Sequence, residues 1–339
     1  MFPRSIMART LDSLEDEFLG FDSILAHLSN KYKLRGMNVC LAVDGSRVTE
    51  KATKTMLSIM SSMERGVRPV KSKLQVLHVF DPSKPTPRHL TPTRVIEGAK
   101  SNIESSLGPG ADVLYTSSET DKSQNPGGAV EADGNASDSD VGGTCDTLMR
   151  LSDKFGTDLL VLGAAGVNEK GINILGSVSN GCLRSSDSSI LLIKSTAVND
   201  TQQQQNVYVL ATDGSEASRL AAVFLSFLVA DDDVIRIVHV TEHASDTVHE
   251  EELLRPYSEL FGKCGDVSFE VVESMYSVTV ATTIVDYAMR KQADYIVLGI
   301  SGYGKQKLGS VSSKVCRESR CSTIVVKDPR EVSTAAKKT

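Results

Sequence analysis

The chain has 339 residues, 40% of them apolar and 24% charged, and sets 37 basic against 43 acidic side chains for a net charge of -6. At roughly 100 to 200 residues per domain the length calls for about two domains, the apolar content excludes a wholly disordered chain, and the acidic balance is the wrong sign for a nucleic-acid partner. Six cysteines stand singly, without a CxxC pair or a histidine spaced to complete a zinc site, and no run of about 18 apolar residues occurs, which argues against a disulfide scaffold, a metal module and a membrane span.

The opening MFPRSIMART carries two arginines, but Glu15, Asp16 and Glu17 follow at once. Targeting segments avoid acids there, so none is expected. Residues 11–34 put Leu11, Leu14, Phe18, Phe21, Leu25 and Leu28 at helical spacing. They predict an extra amphipathic helix, within a segment 1–36, that packs on the first domain or on a partner.

From residue 37 the chain repeats itself, and a repeat decides the organisation of the whole molecule. Val39-Cys-Leu-Ala-Val-Asp44-Gly-Ser46 returns as Val207-Tyr-Val-Leu-Ala-Thr-Asp213-Gly-Ser215, and Val76-Leu-His78-Val79 as Ile237-Val-His239-Val240. Asp158-Leu-Leu-Val-Leu-Gly163 returns as Asp294-Tyr-Ile-Val-Leu-Gly299, Gly176-Ser-Val-Ser179 as Gly309-Ser-Val-Ser312, and Ile190-Leu-Leu-Ile-Lys194 as Thr323-Ile-Val-Val-Lys327. The reading is two tandem copies, 37–194 and 206–327, joined by a linker 195–206 and followed by a tail 328–339. Asp44 to Gly163 spans 119 positions against 86 from Asp213 to Gly299. Most of the excess falls in 117–143, rich in Ser, Gly and acid, which predicts a flexible surface loop whose serines are either phosphorylation sites or solvated filler.

Each copy alternates short Val/Ile/Leu runs with helical patterns. In the second copy the runs lie near 207–211, 234–240, 266–272, 294–299 and 323–327, with helices near 215–230, 247–263, 278–291 and 309–319. Runs apolar on both faces belong to a parallel sheet covered by helices on either side. The fold class is therefore α/β: two tandem doubly wound, Rossmann-like domains, each a five-stranded parallel sheet of order 3-2-1-4-5. Such sheets bind ligands at the carboxyl ends of the strands, where the strand order reverses.

Two polar turns per copy fall at that place. One follows strand one, Asp44-Gly-Ser46 or Asp213-Gly-Ser215. The other follows strand four, Gly163-x2-Gly166-x9-Gly176-Ser-Val-Ser179 or Gly299-x2-Gly302-x6-Gly309-Ser-Val-Ser312. Glycines and a helix start offer backbone amides to an anion, an acid ending strand one can accept from ribose hydroxyls, and Val79 or Val240 with Leu162 or Leu298 can sandwich a flat base. Each motif alone also reads as an ordinary N-cap or turn; their repetition as a set favours a site.

The combination of V-D-G-S after strand one, H-V-F/T after strand two and G-x2-G-x9-G-S-V-S after strand four resembles the universal stress protein family over both copies. The ATP-binding branch of that family carries the full glycine signature. The resemblance implies adenine nucleotide, ATP with Mg2+, at Val43, Asp44, Val79, Leu162, Gly163, Gly166, Gly176, Ser177, Val178 and Ser179. In the second copy it implies Thr212, Asp213, Val240, Leu298, Gly299, Gly302, Gly309, Ser310, Val311 and Ser312. It further suggests that the two copies pair through their fifth strands as the family's homodimers do.

The second copy departs in having six residues between Gly302 and Gly309, and the first in carrying Glu169 inside the loop, offset by Lys170; Lys305 and Lys307 give the second loop the more favourable charge. Gly299-x4-Gly304-Lys305 mimics a P-loop, but Gln306 stands where Ser or Thr must hold magnesium. His78 and His239 sit among strand aliphatics and read as structural, and no repeated catalytic constellation appears, so no enzyme is expected beyond weak ATP hydrolysis. The reading is a cytoplasmic, nucleotide-dependent stress-response switch with an unidentified protein partner, a homo-oligomer and AMP or a cyclic nucleotide staying open. The alternative is a nucleotide-free interaction scaffold with degenerate sites.

Overall fold

In the computed structural model we describe residues 4–107, 112–120, 139–165, 175–194, 205–241, 250–275, 277–300 and 308–327, without the side chains of 4–19, 139–142 and 250–254. A helix, α1 (Arg4–Arg35), precedes the first copy: β1 (Met37–Ala42), α2 (Arg47–Arg65), β2 (Ser72–Phe80), α3 (Pro92–Leu107), β3 (Val113–Glu119), α4 (Ser139–Phe155), β4 (Leu159–Gly163), α5 (Ser177–Ser185) and β5 (Ser189–Ile193). The second copy follows in the same sequence: β6 (Val207–Thr212), α6 (Glu216–Leu225), β7 (Val234–Thr241), α7 (Glu250–Phe261), β8 (Asp266–Glu273), α8 (Val280–Arg290), β9 (Tyr295–Gly299), α9 (Ser310–Glu318) and β10 (Ser322–Val326).

All ten strands form one sheet of order β3-β2-β1-β4-β5-β10-β9-β6-β7-β8. Each copy thus has order 3-2-1-4-5 with parallel pairing throughout. The copies meet at their fifth strands, which run antiparallel, Thr323 opposite Leu192 and Val325 opposite Ile190. Both fifth strands are buried along their whole length, as central strands covered on two faces must be.

Asp158 and Asp294, repeated just before strand four, lock the start of strand one in each copy. Asp158 Oδ2 accepts from Asn38 N at 2.9 Å, and Asp294 Oδ2 accepts from Val207 N at 2.9 Å. The same residues donate their own backbone N–H to Asn38 O and Val207 O. One face of the sheet carries a single core shared by both copies, built from α1, α2 and α3 with α6 and α7. The other face carries two separate clusters, one under α4 and α5 and one under α8 and α9.

The helix α1 meets the first copy, as expected, and packs on the second copy as well. Its stripe Phe21, Ile24, Leu28 and Tyr32 is buried, and its aromatic rings meet second-copy rings edge to face, Phe21 on Tyr257 at 5.2 Å and Tyr32 on Phe227 at 5.1 Å. Lys31 Nζ and Arg35 Nη2 then each bond Asp158 Oδ1 of the first copy at 2.7 Å. The helix straps the two copies together because the helices following strand one of each copy leave a shared apolar face between them. Leu25 is only partly buried, and Leu11, Leu14 and Phe18 lie outside the described side chains.

The predicted loop 117–143 is shorter at both ends. Ser117, Ser118 and Glu119 belong to β3, paired with His78, Val79 and Phe80, because an edge strand with one wet face accommodates polar residues. Helix α4 begins at Ser139; residues 121–138, the linker residues 195–204 and the tail 328–339 lie outside the described residues. The cysteines are less scattered than the sequence suggests, since Cys145 of α4 and Cys182 of α5 meet at 3.3 Å between sulfurs.

The seam is reinforced by an exchanged pair of lysines. Lys327, ending the last strand, sends Nζ to Leu183 O at 2.9 Å and to Ser186 O, the carboxyl end of α5 in the other copy. Lys194 reciprocates, its Nζ donating to Arg317 O of α9 at 3.5 Å. A cation at a helix carboxyl end satisfies orphan carbonyls and complements the helix dipole.

Candidate functional site

At the reversal point of the second copy, β6 ends in Thr212 and turns through Asp213-Gly214-Ser215 into α6. Gly214 has φ of +75°, and its counterpart Gly45 has +79°, a left-handed conformation that glycine adopts without strain. The turn is closed by the acid: Asp213 Oδ1 accepts from Ser215 N at 3.0 Å, and Asp44 Oδ1 from Ser46 N at 2.9 Å and Thr49 Oγ1 at 3.1 Å. Such an Asx turn uses one carboxylate oxygen and leaves the other. Among the described residues neither Asp44 Oδ2 nor Asp213 Oδ2 has a hydrogen-bond partner. Ser46 and Ser215 cap the following helices.

Across the cleft β9 ends at Gly299. A Cβ there would stand 2.6 Å from Ala217 O, while at Gly163 its nearest neighbour would be Val48 Cγ1 at 3.1 Å, with Ala165 O at 3.4 Å. Close approach of the helix after strand one thus gives Gly299 a packing role beside its place in the cleft. The connection to the next helix is pinned identically in both copies: Gly176 N donates to Ala164 O at 2.7 Å, and Gly309 N to Ile300 O at 2.8 Å. The three-residue difference in loop length therefore leaves the helix start in the same place. Gly166, Glu169, Lys170, Gly302, Lys305, Gln306 and Lys307 lie outside the described residues.

Ser179 and Ser312 are buried, and their hydroxyls donate to Gly163 O at 2.7 Å and Gly299 O at 2.8 Å. This ties α5 and α9 to strand four and spends the hydroxyl, so these two serines position the site and do not offer a free donor. Ser177 and Ser310, the first residues of α5 and α9, are exposed. The N-cap positions are Gly176 and Gly309, and neither helix has a side-chain cap, whereas α2, α6 and α8 are each capped by a hydroxyl. The first amides of α5 and α9 are thereby left to another acceptor.

These features surround a cavity of about 190 Å³ in the second copy. Thr212, Asp213, Val240, Leu298, Gly299, Gly309, Ser310, Val311 and Ser312 all line it, which brings together every predicted residue of that copy within the described part. The reading missed Ala211, Val238 and Ser218, and above all Val280 and Ile284 of α8, whose only signal is an apolar i, i+4 pair on a helix that topology alone brings to the cleft. Thr212 contributes less than its position implies: its hydroxyl is held by Tyr257 OH at 2.7 Å and by Ser218 Oγ at 3.1 Å. The cavity is smaller than the ~300 to 1,000 Å³ of typical ligand sites.

In the first copy Val43 and Asp44 follow β1, Val79 lies on β2, Leu162 and Gly163 end β4, and Gly176, Ser177, Val178 and Ser179 open α5, on neighbouring parallel strands. Val79, Leu162 and Val178 pack in one cluster there. His78 and His239 play a different part, each Nδ1–H donating to the last carbonyl before the acid, Val43 O at 2.8 Å and Thr212 O at 3.0 Å. Among the described residues no group of three metal-ligating side chains converges.

A family model described as the universal stress protein family matches residues 37–194 and 208–327. A solved universal stress protein from Archaeoglobus fulgidus DSM 4304 is similar in fold, with TM-score 0.57 and 19% identity over 86% of this chain and 99% of that one. A functionally unknown protein from Pseudomonas aeruginosa PAO1 aligns with TM-score 0.58 and 13% identity over 90% of this chain and 98% of that one. No curated protein sequence matches the chain. With both repeats matched and the sheet order of each copy in place, this chain belongs to the universal stress protein family, as a tandem member carrying two copies of the domain.

Proposed function

We propose that this chain binds adenine nucleotide, with ATP as the ligand, in the second-copy cavity and in the corresponding cleft of the first copy. Binding acts as a cytoplasmic, non-enzymatic switch that alters affinity for a protein partner. The observation that carries this reading is the convergence, at one reversal point, of a half-satisfied acid, an apolar slot and a helix start without a side-chain cap. Asp213 Oδ2 would accept from ribose hydroxyls. The slot between Val238, Val240 and Leu298 of the sheet and Val280 and Ile284 of α8 suits a purine. The first amides of α9 and its dipole suit the phosphates, which carry their own Mg2+. Turnover beyond a trace is not expected: the Nδ1–H of His78 and of His239 holds the carbonyl before the acid, a structural role in the turn.

The test is calorimetric titration of Mg-ATP, and of AMP in parallel, into nucleotide-free full-length protein, with Asp44→Ala and Asp213→Ala beside it. Saturable binding that each variant weakens about 10- to 100-fold in its own site, the loss of one charge-assisted hydrogen bond, supports the reading. Heats equal to dilution in folded protein would overturn it and leave the interaction scaffold.

A further inference from the structure

A second cavity lies at the opposite edge of the sheet, against the amino ends of β1 and β2, and shares no residue with the cleft described above. Its volume is about 680 Å³, inside the ~300 to 1,000 Å³ range of small-molecule sites. Tyr32, Val70 and Phe227 give it a buried apolar floor. Lys33, Arg35, Arg68, Lys71 and Lys73 stand around it, and no carboxylate lines it, although the chain as a whole carries a charge of -6.

Helix geometry accounts for two of these cations. Lys33 and Arg35 occupy the last turn of α1, where the dipole favours them, and Arg35 Nη2 is taken by Asp158. Its Nη1 is buried with no hydrogen-bond partner. Arg68, Lys71 and Lys73 have no such reason: Arg68 and Lys71 lie on the connection from α2 into β2 and Lys73 at the start of β2 itself, and among the described residues none makes an ion pair. Arg68 is half-buried, and loss of solvent lowers its pKa from the ordinary value by more than nearby Cys264 raises it, so its charge carries a desolvation cost, and among the described residues no carboxylate pairs with it. Like charges gathered over an apolar floor are stabilised by an anion that also covers the floor.

We infer that this cavity binds a small phosphomonoester carrying an apolar group, its phosphoryl oxygens on Arg68, Lys71 and Lys73 and its apolar part on Tyr32, Val70 and Phe227. A doubly charged phosphoryl group matches several cations better than a single carboxylate does, and the guanidinium fork suits its oxygens. Tyr32, Val70 and Phe227 lie buried below the charged rim, the order that suits an enclosed molecule, and Leu34 is the one large exposed apolar side chain in the lining. The inference is independent of nucleotide binding.

The test titrates phenyl phosphate and inorganic phosphate into the full-length protein, with Mg-ATP present throughout to occupy any nucleotide site. Phenyl phosphate should saturate at least tenfold more tightly than inorganic phosphate. Lys71→Ala/Lys73→Ala, which removes only exposed side chains, should weaken it tenfold or more without moving the thermal midpoint, and Arg68→Gln should weaken it as much while leaving the midpoint unchanged or raising it. No saturable binding, equal affinity for both probes, binding that survives the double variant, or association only with vesicles of anionic lipid would each overturn it.

Discussion

Replacing Lys327 with Met tests the seam between the copies through a pH dependence. Burial pulls Lys327 from its ordinary 10.5 down to about 8, although its Nζ still reaches Leu183 O and Ser186 O. Between about 8 and 10.5 the unfolded chain holds a proton on this group that the folded chain has released. Stability in that window therefore rises with pH, and below pH 8 the full cost of the buried charge is present. A gap of that size corresponds to about 3 kcal/mol in total, of which about 2 kcal/mol is recovered between pH 7 and 9.5. The cysteines and tyrosines with raised pKa act in the opposite direction above their ordinary values, so the diagnostic quantity is the difference between wild type and Lys327→Met. At pH 7 the variant also strands two helix-end carbonyls, a cost of about 1 to 3 kcal/mol each that offsets the relief. The slope, and not the level, is thus the readout. Urea unfolding at pH 7, 8.5 and 9.5 should show wild type gaining about 2 kcal/mol on the variant; parallel curves would refute the reasoning.

Gly299→Ala should cost several kcal/mol, because the new Cβ would stand 2.6 Å from the Ala217 carbonyl oxygen, while Gly163→Ala, facing a side-chain methyl at 3.1 Å, should cost much less; thermal midpoints of the two variants decide it. Asp158→Ala strips the buried acceptor from Lys31, Arg35 and the Asn38 amide. A loss of about 3 kcal/mol should be accompanied by faster amide exchange in residues 20–35 than in the sheet, and uniform exchange there would contradict the strap. Thiol chemistry should be slow in the native state: desolvation holds Cys264 and Cys316 at about 12, and the hydrogen bond with Cys145, then burial, raises Cys182. An aromatic disulfide reagent at pH 8 that titrates all six cysteines as fast as in urea would rule this out.

Much of this architecture is legible in the residues because the repeat doubles every signal. Asp44-Gly-Ser and Asp213-Gly-Ser mark a turn whose chemistry is local: an acid two residues before a free amide and a glycine able to take positive φ. The strands are equally local, since runs such as Ser189–Ile193 can exist only with both faces covered. Nine of the cavity's lining residues could be named from such turns and strand ends.

What sequence alone could not give depends on distance in the chain. Val280 and Ile284 close the cavity only because the crossover lays α8 over β6, β7 and β9. Ser179 and Ser312 are marked in the sequence only by the Gly-Ser-Val-Ser repeat, and it is the fold that brings their hydroxyls onto Gly163 O and Gly299 O. The sequence by itself determined that there are two copies, what each is made of and where its turns lie, because propensity, periodicity and turn chemistry act over a few residues. Only the tertiary structure decided that α1 straps the second copy to Asp158 and that Lys194 and Lys327 reach across to each other's helix ends. Burial and hydrogen-bond satisfaction of those groups are settled by partners more than a hundred positions away, which no local pattern encodes.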